Sequence, residues 1–192
     1  VPFCPTCRQP VDPHLPACRC SAPCLRYVIA AGEFSGTLRD AIHRFKYGGQ
    51  SAGAGALADL LIPHLSGILT GNQCIVPMPL HPRRERQRGY NQAALLGYAI
   101  ARAYDCEIAD HALRRTRQTV SQVNLPLAAR ARNMDGAFAG DPARCHGRHL
   151  LLVDDVCTTG ATLRAAAGAA YQAGAQTVSA AVLAVTPLGG QA

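Results

Sequence analysis

The chain has 192 residues, 48% of them apolar, which is enough for one domain with a real core plus a small appendage and too apolar for a disordered chain. Its net charge of +7 rests on eighteen arginines and a single lysine, Lys46, a balance that favours a polyanionic partner, either nucleic acid or a phosphorylated small molecule. Six Tyr, four Phe and no Trp argue against a base-stacking platform, and no unbroken run of about 20 strongly apolar residues is available to insert in a membrane.

Five of the nine cysteines fall within residues 4–24, whereas Cys74, Cys106, Cys145 and Cys157 are scattered in apolar contexts. A disulfide scaffold would spread its cysteines over the fold, so the cluster points to metal ligation in a reducing, cytoplasmic setting. CPTC (4–7) turns two thiolates toward one metal, and CRCSAPC (18–24) follows. Four thiolates in a tetrahedron make a closed, structural Zn²⁺ site, expected at Cys4, Cys7, Cys20 and Cys24. Cys18 can replace either of the last two, and His14 is an outside candidate. The chain opens on Val1 rather than Met, which leaves room for residues upstream, and it shows no signal peptide. The expected division is a cysteine-rich lobe over 1–25 and an α/β domain over 26–192.

RYVIAAGEF (26–34) reads as a strand or hairpin arm, and Ser35 is placed to cap a helix over 36–46 whose Leu38, Ile42 and Phe45 share a face. A glycine-rich break (47–55) precedes a second helix at 56–65. CIVPMP (74–79) is a short apolar strand ended by proline, and 91–104 is an amphipathic helix opening on Asn91. A strand is expected near 107–113, then a long cationic loop over 114–126 and a short helix at 127–134. HLLLVDDV (149–156) is a continuous apolar strand of the kind buried on both faces. A helix over 159–175 and a buried strand over 177–185 complete an alternation that predicts an open, mostly parallel α/β sheet.

The chemistry concentrates in LLLVDDVCTTGAT (150–162). Ligands of parallel sheets sit beyond the carboxyl ends of the strands, where Asp154 and Asp155 fall. The helix that follows begins with N–H groups lacking intrahelical partners, which suit a phosphate, and Gly160 lets the backbone approach closely. The acids must bind something other than phosphate, and vicinal hydroxyls fit. A phosphate beside a diol describes ribose 5-phosphate. A Walker-type loop is excluded, because no GxxxxGK[ST] occurs.

This segment closely resembles the phosphoribosyl-pyrophosphate (PRPP) motif of type I phosphoribosyltransferases. With RDAIHRFKYGG (39–49), VPMPLHPRRERQRGYNQAALL (76–96) and RTRQTVSQVNLPLAARARNMDGAF (115–138), the pattern is similar to that of the ComF family. The resemblance implies a type I phosphoribosyltransferase-like, mostly parallel sheet flanked by helices, with a small N-terminal zinc-ribbon lobe. It implies that Asp154 and Asp155 bind the ribose hydroxyls of PRPP and that Thr158, Thr159, Gly160, Ala161 and Thr162 cradle the 5-phosphate. Pyrophosphate is expected at the turn over 78–82, near Leu80, His81, Arg83 and Arg84, under a loop carrying Arg115 and Arg117. Mg²⁺ is implied as the pyrophosphate complex. Enzymes of this kind that act on 6-oxopurines carry an acid where this chain has Thr158, which turns the expectation away from hypoxanthine or guanine. The family name also implies a link to natural transformation. The alternative reading is therefore a non-catalytic factor that handles single-stranded DNA beside other competence proteins, with PRPP as a signal and Arg83, Arg84, Arg86 and Arg88 on the strand.

Overall fold

The computed structural model describes residues 1–14, 18, 25–47, 51–116 and 136–187. Strand β1 (Val28–Glu33) is followed by helix α1 (Gly36–Tyr47), helix α2 (Ala54–Leu61) with a 3₁₀ turn over Ile62–Leu65, and strand β2 (Gln73–Pro77). Helices α3 (Pro82–Arg88) and α4 (Gln92–Tyr104) come next, then the short strands β3 (Leu113–Arg115) and β4 (Phe138–Gly140). The chain continues through a single helical turn, α5 (Pro142–Cys145), then β5 (His149–Cys157), α6 (Ala161–Gln172) and β6 (Thr177–Val185).

The main sheet has four parallel strands in the order β1-β6-β5-β2. Central β5 pairs Leu152 with Val76 on one side and with Ala180 on the other. Side chains alternate across a strand, so β5 feeds two cores. Leu150 and Leu152 pack with α6 and the small hairpin, whereas Leu151 and Val153 pack with α1, α2 and α4. Coverage of both faces explains the unbroken apolar run in the sequence.

Several expectations change. The 26–34 segment is no hairpin arm: β1 is an edge strand held in parallel by β6, a partner some 150 residues away in the chain. The strand expected near 107–113 does not form. Ile108 makes one isolated bridge to Ile75, Ala112 N–H turns back to the Ala109 carbonyl, and regular pairing starts only at Leu113, antiparallel to β4. After the turn expected over 78–82, the arginines to which no element was assigned form a helix from Pro82, because Pro82 suits a first turn and His81 caps it by accepting from Arg83 N–H. Asn91 opens α4 as expected, its side chain accepting from Ala93 N–H at 3.0 Å. The helix expected at 127–134 lies outside the described residues. No helix among the described residues is long and apolar enough to cross a membrane.

The hairpin closes on α6 with no spare room. A Cβ at Gly140 would lie 2.7 Å from both the Ala169 carbonyl oxygen and the Ala173 Cβ. Gly140→Ala is expected to lower stability by about 1–3 kcal/mol, read as a lower urea midpoint at unchanged slope.

Candidate functional site

The carboxyl ends of β2 and β5 open into a cleft of about 450 Å³. Its floor is the acidic pair. The two acids share a basic neighbour, Lys46, which contacts Asp155 and lends its charge to Asp154. Asp155 is 8% exposed and receives Lys46 Nζ from α1 at 3.0 Å. Asp154 feels Arg115 from the end of β3 as well as Lys46, and its Oδ1 accepts the Asp155 N–H at 2.9 Å. Burial at the cleft floor and the adjacent Asp155 charge nevertheless push the Asp154 carboxyl up to about 7, only partly offset by these favourable contacts. Burial, then the charge of Arg84, lowers Arg115 from its usual value, while Asp154 acts the other way.

The loop after β5 supplies the next wall. Thr158 and Thr162 line the cleft. Gly160 has φ 74°, a left-handed value that favours glycine, and it precedes α6 with no side-chain cap on that helix. With no side-chain cap, the positive end of the α6 dipole lies at this loop, where Ala161 N–H makes a long contact of 3.4 Å with Thr159 Oγ1.

Opposite lies the turn after β2, pinned to β5 by Met78 N–H donating to the Val153 carbonyl at 2.9 Å. Leu80, Arg84 and Arg115 line the cleft with the acids. His81 and Arg83 are not among the lining residues; the His81 ring is spent on capping α3. Arg117 lies outside the described residues.

Sequence reasoning missed several groups. Lys46 drew notice only as the sole lysine; its place among eighteen arginines was the available signal, since a compact ammonium fits beside a buried carboxylate where a guanidinium fork is bulkier. RGYNQ (88–92) proves to be a structural knot around the cleft. Gly89 ends α3 at φ 82°, Tyr90 Oη donates to the Phe45 carbonyl of α1, and Asn91 Nδ2 donates to the Met78 carbonyl at 3.1 Å. Gln92 is 2% exposed and its Oε1 accepts from Arg88 at 2.9 Å. Phe34, His43 and Tyr47 form an aromatic rim whose neighbouring rings are tilted by 35° to one another, with Arg88 5.1 Å from the Tyr47 ring centre.

At the N-terminus, Cys4, Cys7 and Cys18 bring their sulfur atoms within 4.8 Å of one another, a set that could hold a metal ion. Cys18 thus joins the cluster, Cys20 and Cys24 lie outside the described residues, and His14 is not among the gathered ligands. Thr6 N–H points at Cys4 Sγ at 3.4 Å, the polarity a thiolate ligand needs. Burial raises the thiols of Cys74, Cys106, Cys145 and Cys157, which keeps these scattered cysteines protonated and out of such chemistry.

Comparison with known proteins agrees with this geometry. The family model "Phosphoribosyl transferase domain" matches residues 91–190, which include both acids and the glycine-threonine loop. "DNA utilization protein YhgH" of Shigella flexneri is 35% identical over 92% of this chain and 81% of its own length. "Competence protein F" of Haemophilus influenzae is 31% identical over 84% of this chain and 75% of its own. "Competence protein ComFC" of Bacillus subtilis is 26% identical over 86% and 70%. The chain belongs to the phosphoribosyl transferase domain family, in the ComF branch that includes these three relatives.

Proposed function

We propose that the chain binds PRPP in the cleft and transfers its phosphoribosyl group to an acceptor. The observation that carries this reading is one cleft lined by Asp154, Asp155, Thr158 and Thr162 together with Arg84, Arg88 and Arg115, at the start of a helix without a side-chain cap. In this reading the two carboxylates accept from the ribose 2- and 3-hydroxyls and residues 158–162 hold the 5-phosphate. Pyrophosphate sits by Leu80, Arg84 and Arg115, with Arg117 arriving from the loop beyond. The C1–O bond breaks with its electron pair leaving on pyrophosphate, and the lone pair of the acceptor forms the new bond at C1. Preorganised cations favour this step by meeting charge that develops on the leaving group. Among the described residues the cleft is lined by no carboxylates besides the acidic pair, so Mg²⁺ is expected to arrive with pyrophosphate and, when bound, to neutralise part of its charge. The rim of Phe34, His43 and Tyr47 offers aromatic faces beside which an acceptor can pack. The cysteine cluster is assigned to structural Zn²⁺, in a lobe over residues 1–25 ahead of the catalytic domain.

A second reading, binding of single-stranded DNA, draws on the names of the relatives and on α3, which carries four arginines in seven residues and buries none of them. Arg84 and Arg88 line the cleft, whereas Arg83 and Arg86 face solvent.

Calorimetric titration of PRPP with Mg²⁺ checks the first reading. Asp154→Asn and Asp155→Asn are each expected to weaken binding by at least about tenfold, on the scale of one to two lost charge-assisted hydrogen bonds. Unchanged affinity in both variants would refute the assigned sugar site.

The raised Asp154 value gives a pH test. A carboxylate that accepts two hydroxyls must be ionised, so PRPP affinity rises with pH through about 7 and binding releases a proton there. Titration at pH 7 in buffers of different ionisation enthalpy is expected to show release of roughly half a proton, fading by pH 8.5. In the unliganded protein the sign is that of a buried acid. The fold holds this proton more tightly than the unfolded chain does, so the stability due to this group falls as pH rises from 3.8 to about 7.

For the second reading, anisotropy of labelled oligothymidylate over a salt series separates charge contacts from the cleft. Arg83→Ala/Arg86→Ala is expected to flatten the slope of log K against log salt by about 1.4, at ~0.7 per phosphate contact, without changing PRPP affinity. A slope already near zero in the unmodified protein removes this reading.

A further inference from the structure

The cysteine turn does not stand apart from the cleft. On one side it is stitched to the sheet, where Phe3 and Val28 exchange both backbone hydrogen bonds at 2.9 Å. Its own geometry is closed by Arg8 N–H donating to the Cys4 carbonyl at 3.0 Å and Cys4 N–H donating to that of Gln9 at 2.9 Å. On the other side it abuts the loop that follows β5. Arg8, the residue directly after Cys7, holds φ at 62°, a left-handed conformation that a non-glycine residue adopts only at a steric cost. That twist sends its guanidinium past the Phe3 ring, 5.0 Å from its centre, to donate through Nη2 to the Thr158 carbonyl. The same nitrogen lies 4.0 Å from Cys157 Sγ. Nη1 is buried without a hydrogen-bond partner among the described residues, so few acceptors fix this side chain and its aim depends on the turn behind it.

A second arginine works from the helix side. Arg164 Nη1 donates to the Thr159 carbonyl at 2.9 Å and to the Pro5 carbonyl, inside the cysteine turn, at 3.4 Å. Gly160 sits under this clamp: a Cβ there would lie 2.9 Å from Arg164 Nη1 and 3.5 Å from the Pro5 oxygen. Two successive carbonyls of the loop, Thr158 and Thr159, are therefore held away from the cleft by guanidinium groups. A trans peptide points its N–H opposite to its carbonyl. Holding those oxygens outward aims the Thr159 and Gly160 N–H groups inward, the orientation an anion requires.

We propose that the cysteine turn and this loop form one coupled unit, in which Arg8 and Arg164 are positioning residues and metal occupancy at the cysteines raises affinity for the phosphate of a sugar phosphate. The proposal rests on the reading of residues 158–162 as the 5-phosphate cradle. The metal fixes Cys4 and Cys7, the turn between them fixes Pro5 and Arg8, and these fix the carbonyls of the loop. Linkage is reciprocal, so a sugar phosphate in the cleft raises affinity for the metal by the same factor.

The test uses two probes on the full chain, ribose 5-phosphate for the loop and Mg²⁺-pyrophosphate for the turn after β2. Each is titrated into the zinc-loaded protein, into the same protein after chelation, and into the zinc-loaded variants Arg8→Ala and Arg164→Ala. Chelation and each variant are expected to weaken ribose 5-phosphate about tenfold, within the usual range of coupling between sites, and to leave pyrophosphate unchanged. Chelating Arg8→Ala should add little more, because both changes cut one connection. Ribose 5-phosphate affinity that survives chelation and both variants overturns the coupling while leaving the sugar-phosphate reading intact. Equal loss of both probes also overturns it, since that marks general collapse of the cleft. Failure of ribose 5-phosphate to bind even the zinc-loaded protein overturns the cradle itself, and the coupling with it.

Discussion

Two neighbouring carboxylates at the end of a buried strand are the constraint around which the rest of the structure is arranged. Side by side in a medium of low dielectric they repel each other and each loses hydration, so a fold that keeps them must bring compensating charge. The fold supplies it from two elements: Lys46 of α1 contacts Asp155 and also offsets the Asp154 charge, to which Arg115 at the end of β3 adds a smaller share. Compensation is incomplete, because Asp154 still holds its proton up to about 7. A site left part-way between neutral and charged responds to a ligand that brings hydroxyl donors or cations, which is a binding property rather than a stabilising one.

Several features that look unrelated in the sequence serve this arrangement. The knot at residues 88–92 joins three elements around the acids: Tyr90 holds the end of α1 that carries Lys46, and Asn91 holds the turn after β2 while capping α4. The glycine at 160 allows Arg164 and Pro5 to close over the loop, which couples the N-terminal turn to the cleft rather than leaving it as an ornament. Each is a short-range device, a cap or a single carbonyl contact, and together they bring segments distant in sequence to the same 450 Å³.

Much of this was legible beforehand, and for identifiable reasons. β6 runs from Thr177 to Val185 as its uninterrupted apolar pattern predicts, and α4 starts after Asn91 because an amide oxygen at a helix start satisfies an otherwise orphaned N–H. The position of the acids at a strand end followed from a run of four apolar residues stopping at Asp154. Segments without such periodicity were read less well. Residues 107–113 hold enough apolar residues to suggest a strand, yet the turn at 109–112 reduces them to one bridge. α3 is short, cationic and without a buried face, so only its proline and its histidine cap mark it.

The amino-acid sequence by itself determined the α/β class, the strand with two acids toward its carboxyl end, the glycine-threonine loop after it and the cluster of thiols, because each follows from local periodicity, capping or spacing. The tertiary structure alone decided that Lys46 and Arg115 flank the acids, that Cys18 stands with Cys4 and Cys7, that β1 lies beside β6, and that Arg8 reaches the loop after β5. Those pairings join residues separated by up to about 150 positions. They depend on how layers pack and on which face of a strand each side chain leaves, and no local rule encodes that.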